Sequence, residues 1–347
     1  MWHTMWLFVL LHLFSGEFQY PDEPFLNMEG ERLTHTINDT LTIHELRSQD
    51  GFTKWYGQDL TTEVCLTGLC NEVHLWLFWD CLGNYLGFQV FENEPLTKSD
   101  HEPFVRSDYQ LLHEVLKDEN SIFRFVTIDD LVIEKEGMVG LDGISGATNP
   151  DLLAFASEGA IYTFYTLWHS THGQVKEYIQ QLKLENNTED YIKGLFNNES
   201  PEYHQLALDL LATKEGFVDQ FSGELVGVMS SGDETLALEA LRVSKLNWLL
   251  NPTNQLKLID HFPDLSSRMR AEVVWTLSDL SVRDSNVIRN LFQAFDEELI
   301  GVNELRLVFQ MIDCAAYSRF TQTLSRYAEH ENAYIRRLIS NLSSKCM

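Results

Sequence analysis

The densest chemical signal in the chain is Leu141-Asp142-Gly143-Ile144-Ser145-Gly146-Ala147-Thr148. Gly143 and Gly146 admit backbone conformations closed to other residues, and Ser145 and Ala147 are small, so a bulky group can approach the main chain. Thr148 places a hydroxyl one residue ahead of Asn149-Pro150-Asp151. Asn is a favoured N-cap and Pro suits the first helical position, so a helix is expected to open there. A phosphate ester on the Thr148 hydroxyl would then face free amide N–H groups and the positive end of a helix dipole. That arrangement suits a phosphorylated cofactor. The same residues also make an ordinary capping turn that carries nothing.

Other polar and aromatic clusters fall within reach of the same chemistry. Lys98, Asp100 and His101 lie within four positions, in a chain where cations are scarce. Lys98 could neutralise a phosphate or the anion of a reduced cofactor; the alternative is a solvated loop. Tyr162-Thr-Phe-Tyr-Thr-Leu-Trp-His169 could stack on a ring, although aromatics at helical spacing usually build a core. His169 and His172 have the spacing of two metal ligands, but no third ligand matches, so structural or surface histidines are expected. The chain has no Gly-x-Ser-x-Gly elbow, Walker loop, His-Glu-x-x-His or Rossmann fingerprint.

Asp142-Gly143-Ile-Ser145-Gly146-Ala147-Thr148 resembles the flavinylation motif of the FMN-binding domain family. That family includes subunits of the sodium-pumping NADH:quinone oxidoreductase and Rnf complexes and related extracytoplasmic electron-transfer proteins. The resemblance covers about residues 60 to 175. It implies that a flavin transferase, with FAD as donor, joins FMN through its phosphate to Thr148. Asp142, Gly143, Ser145, Gly146 and Ala147 would shape the attachment site, with Lys98 and His101 as further cofactor-binding candidates. The implied role is electron transfer with a redox protein partner rather than conversion of a substrate.

Around the motif, Val73 to Trp79 and Tyr85 to Phe91 read as two strands joined at the turn cluster Asp80-Cys-Leu-Gly83-Asn84. A helical pattern follows over Asp108 to Lys117, then a short strand over Leu131 to Lys135 and a glycine-rich loop to Gly146. The helix opening at Asn149 is expected to run through Ala160 toward Trp168. Hairpins and helices without regular βαβ alternation indicate an α+β domain over residues 30–175, which the resemblance implies to be FMN-binding-like. Over 185–347 the strand signal fades. The triplets Ala207/Leu210/Leu211, Ala237/Ala240/Leu241, Ala271/Val274/Trp275, Leu305/Val308/Phe309 and Ile335/Leu338/Ile339 recur at offsets of 30, 34, 34 and 30 residues. One apolar stripe per helix at that period predicts an all-α array resembling short HEAT-like repeats, in which helix pairs stack into a solenoid. An ordinary helical bundle with evenly spaced stripes is the alternative.

Composition bounds the function. The 347 residues carry 25 Lys and Arg against 52 Asp and Glu, a formal charge of −27. Such an excess repels nucleic-acid backbones and anionic lipid, and favours partners with basic surfaces. No apolar run near 18 residues occurs beyond the start, so stable membrane insertion is not expected. Trp6 to Phe14, followed by Ser15-Gly16, has the length and small-residue end of a signal peptide over residues 1–16, although no Lys or Arg precedes Arg32. The expected location is therefore outside the cytoplasmic membrane, periplasmic or extracellular. Cys65 and Cys70 either form a disulfide around Gly68 or are buried thiols. Two further functions compete with the electron carrier: a non-redox interaction protein whose helical array is the working part, and a small-molecule reductase.

Overall fold

In a computed structural model the described residues are 18–20, 25–49, 51–64, 72–91, 93–98, 101–133, 147–152, 154–185, 188–214, 218–280 and 284–346. The chain divides into two compact units, the first ending at residue 187 and the second starting at Thr188. The signal-peptide segment, Cys65 and Cys70 lie outside the described residues.

The first unit is built on an antiparallel sheet of β1 (Phe18–Tyr20), β2 (Glu31–Asn38), β3 (Leu41–Arg47), β4 (Thr53–Thr62), β5 (Val73–Trp79) and β6 (Tyr85–Val90). Its strand order is β1-β6-β5-β4-β3-β2. The β5–β6 hairpin lies where the two strand-like runs and their turn cluster put it, and its turn needs Gly83, at φ +87. Only glycine adopts that conformation without steric cost. Asp80 closes the turn, its Oδ1 accepting the amides of Leu82 and Asn84 at 2.8 Å each.

Alternate residues of β5 point to opposite faces, and both faces are covered. Leu75, Leu77 and Trp79 join the main core with Phe88, Leu112, Leu116, Phe164 and Leu167. Phe78 packs on the other side with Phe25, Leu46 and Trp55. The helices of the main core are α1 (Arg106–Lys117), α2 (Ile161–His172) and α3 (Gln174–Glu185). Trp79 ties the sheet to α2 by donating its indole N–H to the Thr171 carbonyl at 2.9 Å. A separate two-stranded ladder pairs β7 (Val132–Ile133) with β8 (Ala147–Thr148). This unit is α+β, as its hairpins and helices without regular βαβ alternation indicate.

One helix boundary differs from expectation. Pro150–Leu152 is a single 3-10 turn, and α2 begins only at Ile161. Gly159 lies between them at φ +76, outside the helical region, so the pattern cannot run on from Asn149.

The second unit is helical among its described residues: α4 (Glu189–Phe196), α5 (Pro201–Ala212), α6 (Ser222–Met229), α7 (Glu234–Leu246), α8 (Pro252–Asp260), α9 (Ser267–Asp279), α10 (Ser285–Asp296), α11 (Val302–Gln310), α12 (Thr321–Ala328) and α13 (Ala333–Cys346). Helix α5 packs on α7, α7 on α9, α9 on α11 and α11 on α13, while α6, α10 and α12 pack on α7, α11 and α13. The recurrent triplets fall on α5, α7, α9, α11 and α13.

Polar contacts between neighbouring helices repeat at nearly the same chain separation. Arg268 reaches Glu234, Lys245 Nζ lies 3.2 Å from Asp279 Oδ2, and Arg319 Nη1 donates to Ser285 Oγ at 3.3 Å, each spanning 34 residues. Arg326 Nη2 donates to Asp296 Oδ2 at 2.5 Å over 30 residues. A disulfide joins Cys314, after α11, to Cys346 in the last turn of α13.

Candidate functional site

Thr148 is the second residue of β8 and lies opposite Val132. Asn149 fixes the exit from that strand with both ends of its amide. Its Nδ2 donates to the Asp130 carbonyl at 3.1 Å, and its Oδ1 accepts the Asp151 amide at 3.1 Å. The Asn149 backbone N–H donates to Leu131 O at 2.9 Å. Asn149 thus caps, as its type suggests, but what it caps is one 3-10 turn. The longer helix and its full dipole do not begin at Thr148.

The turn Ile128–Asp130, which leads into β7, carries two carboxylates. Asp130 Oδ2 accepts both the backbone N–H and the hydroxyl of Thr127 at 2.7 Å each, and these bonds hold its carboxyl below the usual range. Asp129 stands near the Tyr162 phenol; burial and that negative charge push the phenol above its ordinary value.

The other candidates separate into distinct environments. Lys98 Nζ lies 3.1 Å from Asp108 Oδ2. The same oxygen accepts the Val105 amide at 2.8 Å, closing the start of α1. Burial opposes ionisation of Asp108, but bonds from Ser157, Val105 and Lys98 outweigh it and keep the carboxyl low. The Lys98 charge is therefore balanced within the fold. His101 has φ +65 in the tight loop between Thr97 and Pro103, and its side chain is exposed. Asp142, Gly143, Ser145 and Gly146 lie outside the described residues, as does Asp100; for Ala147 and Thr148 the backbone is described.

On α2, Phe164 and Trp168 belong to the core. Trp168 Nε1 donates to Asp118 O at 2.9 Å and His172 Nε2 to Leu116 O at 2.9 Å. These two side chains satisfy carbonyls at the end of α1 that the helix itself leaves free. Burial lowers the His172 pKa, and also that of His169, whose ring bonds the Phe123 backbone. His172 is thus structural, whereas His169 lies at the surface. Among the described residues, no group of three or more His, Cys, Asp or Glu side chains is placed to hold a metal ion.

A network that sequence reading missed surrounds Glu45, whose side chain is wholly buried. Arg47 donates from Nε at 2.7 Å and Nη2 at 3.0 Å, Thr53 from its hydroxyl at 2.5 Å, and His35 from Nε2 at 2.7 Å. Burial raises the Glu45 pKa, but these donors overcome it and hold the carboxyl below its ordinary value. The alternation in β2 and β3 puts His35 and Glu45 on one face of the sheet, which is the signal that could have revealed the cluster.

Of the residues that the resemblance assigns to a flavin, the described ones are Lys98, His101 and the backbone of Ala147 and Thr148. The Thr148 backbone is held by a strand ladder and by the Asn149 bonds. Lys98 does not supply a free counter-charge for a phosphate. Comparison of the chain with protein-family models, curated proteins and solved structures finds no match. Among the described residues, no helix is long and apolar enough to cross a membrane.

Proposed function

We propose that the chain is an extracytoplasmic electron-transfer flavoprotein carrying FMN covalently on Thr148. The observation that carries this reading is the run Asp142 to Thr148, in which every polar and small residue of the attachment motif stands in order. In the attachment step the Thr148 hydroxyl oxygen forms a bond to the FMN-side phosphorus of FAD, the pyrophosphate bond breaks, and AMP leaves. The hydroxyl proton passes to the transferase or to water. Bound in this way, the flavin supplies one- or two-electron redox chemistry, while the protein supplies its position and electrostatics.

The first unit is then an FMN-binding-like domain, with Ser145, Gly146 and Ala147 giving the transferase close access to the main chain. The second unit is a HEAT-like solenoid that presents an extended face to a protein partner. The contacts recurring at 30 to 34 residues support that array, because equivalent positions on successive repeats are adjacent in a stacked structure. Export is supported by the leader-like first 16 residues and by the Cys314–Cys346 disulfide, a bond characteristic of oxidising compartments. The redox partner is a protein with a basic surface, drawn by the acidic charge of the chain.

Co-expression with a flavin transferase tests the reading. A fluorescent band on a denaturing gel and the added mass of FMN are expected, and both are lost in Thr148→Ala. A folded wild-type protein that stays colourless under those conditions would leave the interaction-protein reading, in which the helical array acts alone.

A further inference from the structure

The turn between β2 and β3 holds a pattern that electron transfer leaves unused. Asn38-Asp39-Thr40 is an Asn-x-Thr triplet without a central proline, the acceptor pattern for N-linked glycans in exported proteins. Three more Asn-x-Ser/Thr triplets without a central proline start at Asn186, Asn198 and Asn341.

Placement sets Asn38 apart from these. Asn38, Asp39 and Thr40 are all exposed, at the end of β2 and the turn that follows it. Asn38 Oδ1 accepts both the backbone N–H and the hydroxyl of Thr40 at 3.0 Å each. This Asx turn is made by the triplet alone, so the chain can form it before the sheet assembles. It engages the amide oxygen and leaves Nδ2 with no hydrogen-bond partner among the described residues. Strand β2 is bonded to β3 alone among the described strands, so bulk at its end displaces no described neighbour. Asn198, by contrast, is half-buried, and its triplet runs directly into Pro201 at the start of α5. Asn341 lies within α13, where the Ser343 hydroxyl of its triplet is bonded to the Tyr317 hydroxyl at 2.7 Å. Asn186 lies outside the described residues.

The geometry points to Asn38 as the acceptor of an N-linked glycan. The donor is a polyprenyl-pyrophosphate-linked oligosaccharide, used by a membrane transferase. Asn38 Nδ2 attacks the anomeric carbon of the first sugar and a C–N bond forms. The sugar–phosphate C–O bond breaks, the polyprenyl pyrophosphate leaves, and one amide proton passes to the transferase. Modification in the native host rests on the export proposed above and is independent of the flavin. An oxidising compartment on that route also accounts for the Cys314–Cys346 bond.

The test translates the full chain with endoplasmic-reticulum microsomes, once with its own first residues and once with a heterologous cleaved leader in place of residues 1–16. Protease-protected product is treated with peptide-N-glycosidase in heavy-oxygen water, which converts a glycosylated Asn to an oxygen-labelled acid. The tryptic peptide Leu33–Arg47 is then read by mass spectrometry. Label at position 38 in most protected chains is expected. Thr40→Ser should keep it and Thr40→Val should abolish it. Asn38→Asp, which still offers an oxygen to the Thr40 amide, should lose one glycan's shift on a gel while keeping the parent's unfolding midpoint. Label behind the heterologous leader but not behind the native one would uphold the acceptor and sink the export reading. Protected chains behind the heterologous leader with Asn38 unmodified would overturn the assignment, and so would label that survives Thr40→Val.

Discussion

Glu45 shows how much of the first unit's pH dependence rests on single buried groups. Its folded pKa lies below its unfolded value, so the unfolded chain binds more protons in acid. The stability it contributes is present above the unfolded carboxyl pKa and is lost as pH falls through the folded one. Glu45→Ala leaves Arg47 and His35 without their acceptor and should cost about 3 kcal/mol at neutral pH, measured by urea unfolding. His172 acts in the same direction, since burial depresses its pKa and the unfolded ring protonates first. His74 runs the other way. Its Nδ1 lies 2.5 Å from Glu94 Oε2 and its Nε2 2.8 Å from Asp59 Oδ1. Burial works against the charged ring, but these two carboxylates prevail and raise its pKa. Its contribution is complete below the unfolded pKa and fades as pH rises through the folded one. His74→Gln should therefore flatten the stability profile on the alkaline side of about pH 6.5, by roughly 0.5 kcal/mol.

At the scale of elements, what the sequence makes plain follows from local rules. The β5–β6 hairpin and α1 are set by two aromatic, apolar runs, a turn glycine and a capped apolar stripe, all contained within a few residues. The start of α2 was misplaced because Asn149-Pro150 is a sound opening signal that Gly159 then interrupts. The stripe on α9 was misjudged in part: Val274 is buried, but Trp275 turns outward, since periodicity cannot tell a core indole from a surface one. The Cys314–Cys346 bond was missed because its two cysteines are 32 residues apart, and only the repeat brings them together. The run Asp142 to Thr148 was read through a resemblance, and the ladder beside it, β7 with β8, is too short for any propensity to announce. The disulfide closes a long loop at the end of the array. Replacing both cysteines by serine should cost about 3–4 kcal/mol on the chain-entropy argument, read as a fall in the denaturant midpoint. The parent treated with dithiothreitol should fall by the same amount.

Across the whole molecule the acidity is unevenly shared. Residues 1–187 hold 10 Lys and Arg against 29 Asp and Glu, a net of −19, whereas residues 188–347 hold 15 against 23, a net of −8. Self-repulsion therefore weighs more on the first unit, and salt relieves it by shortening the range of the field to about 10 Å at 0.1 M. Raising sodium chloride from 20 mM to 500 mM should lift the unfolding temperature of the first unit more than that of the second. Tryptophan emission replaced position by position at Trp55 and Trp248 assigns each transition, since each is buried in its own unit.

The two ion pairs between α7 and α9 set a rule for how that step of the array can change in evolution. Arg268 finds Glu234 and Lys245 finds Asp279 across the same 34 residues, so the pairs bridge the two helices near their opposite ends. An insertion of a few residues within either helix would turn one pair out of line. Selection on these contacts therefore falls on the lengths of the two helices rather than on what joins them.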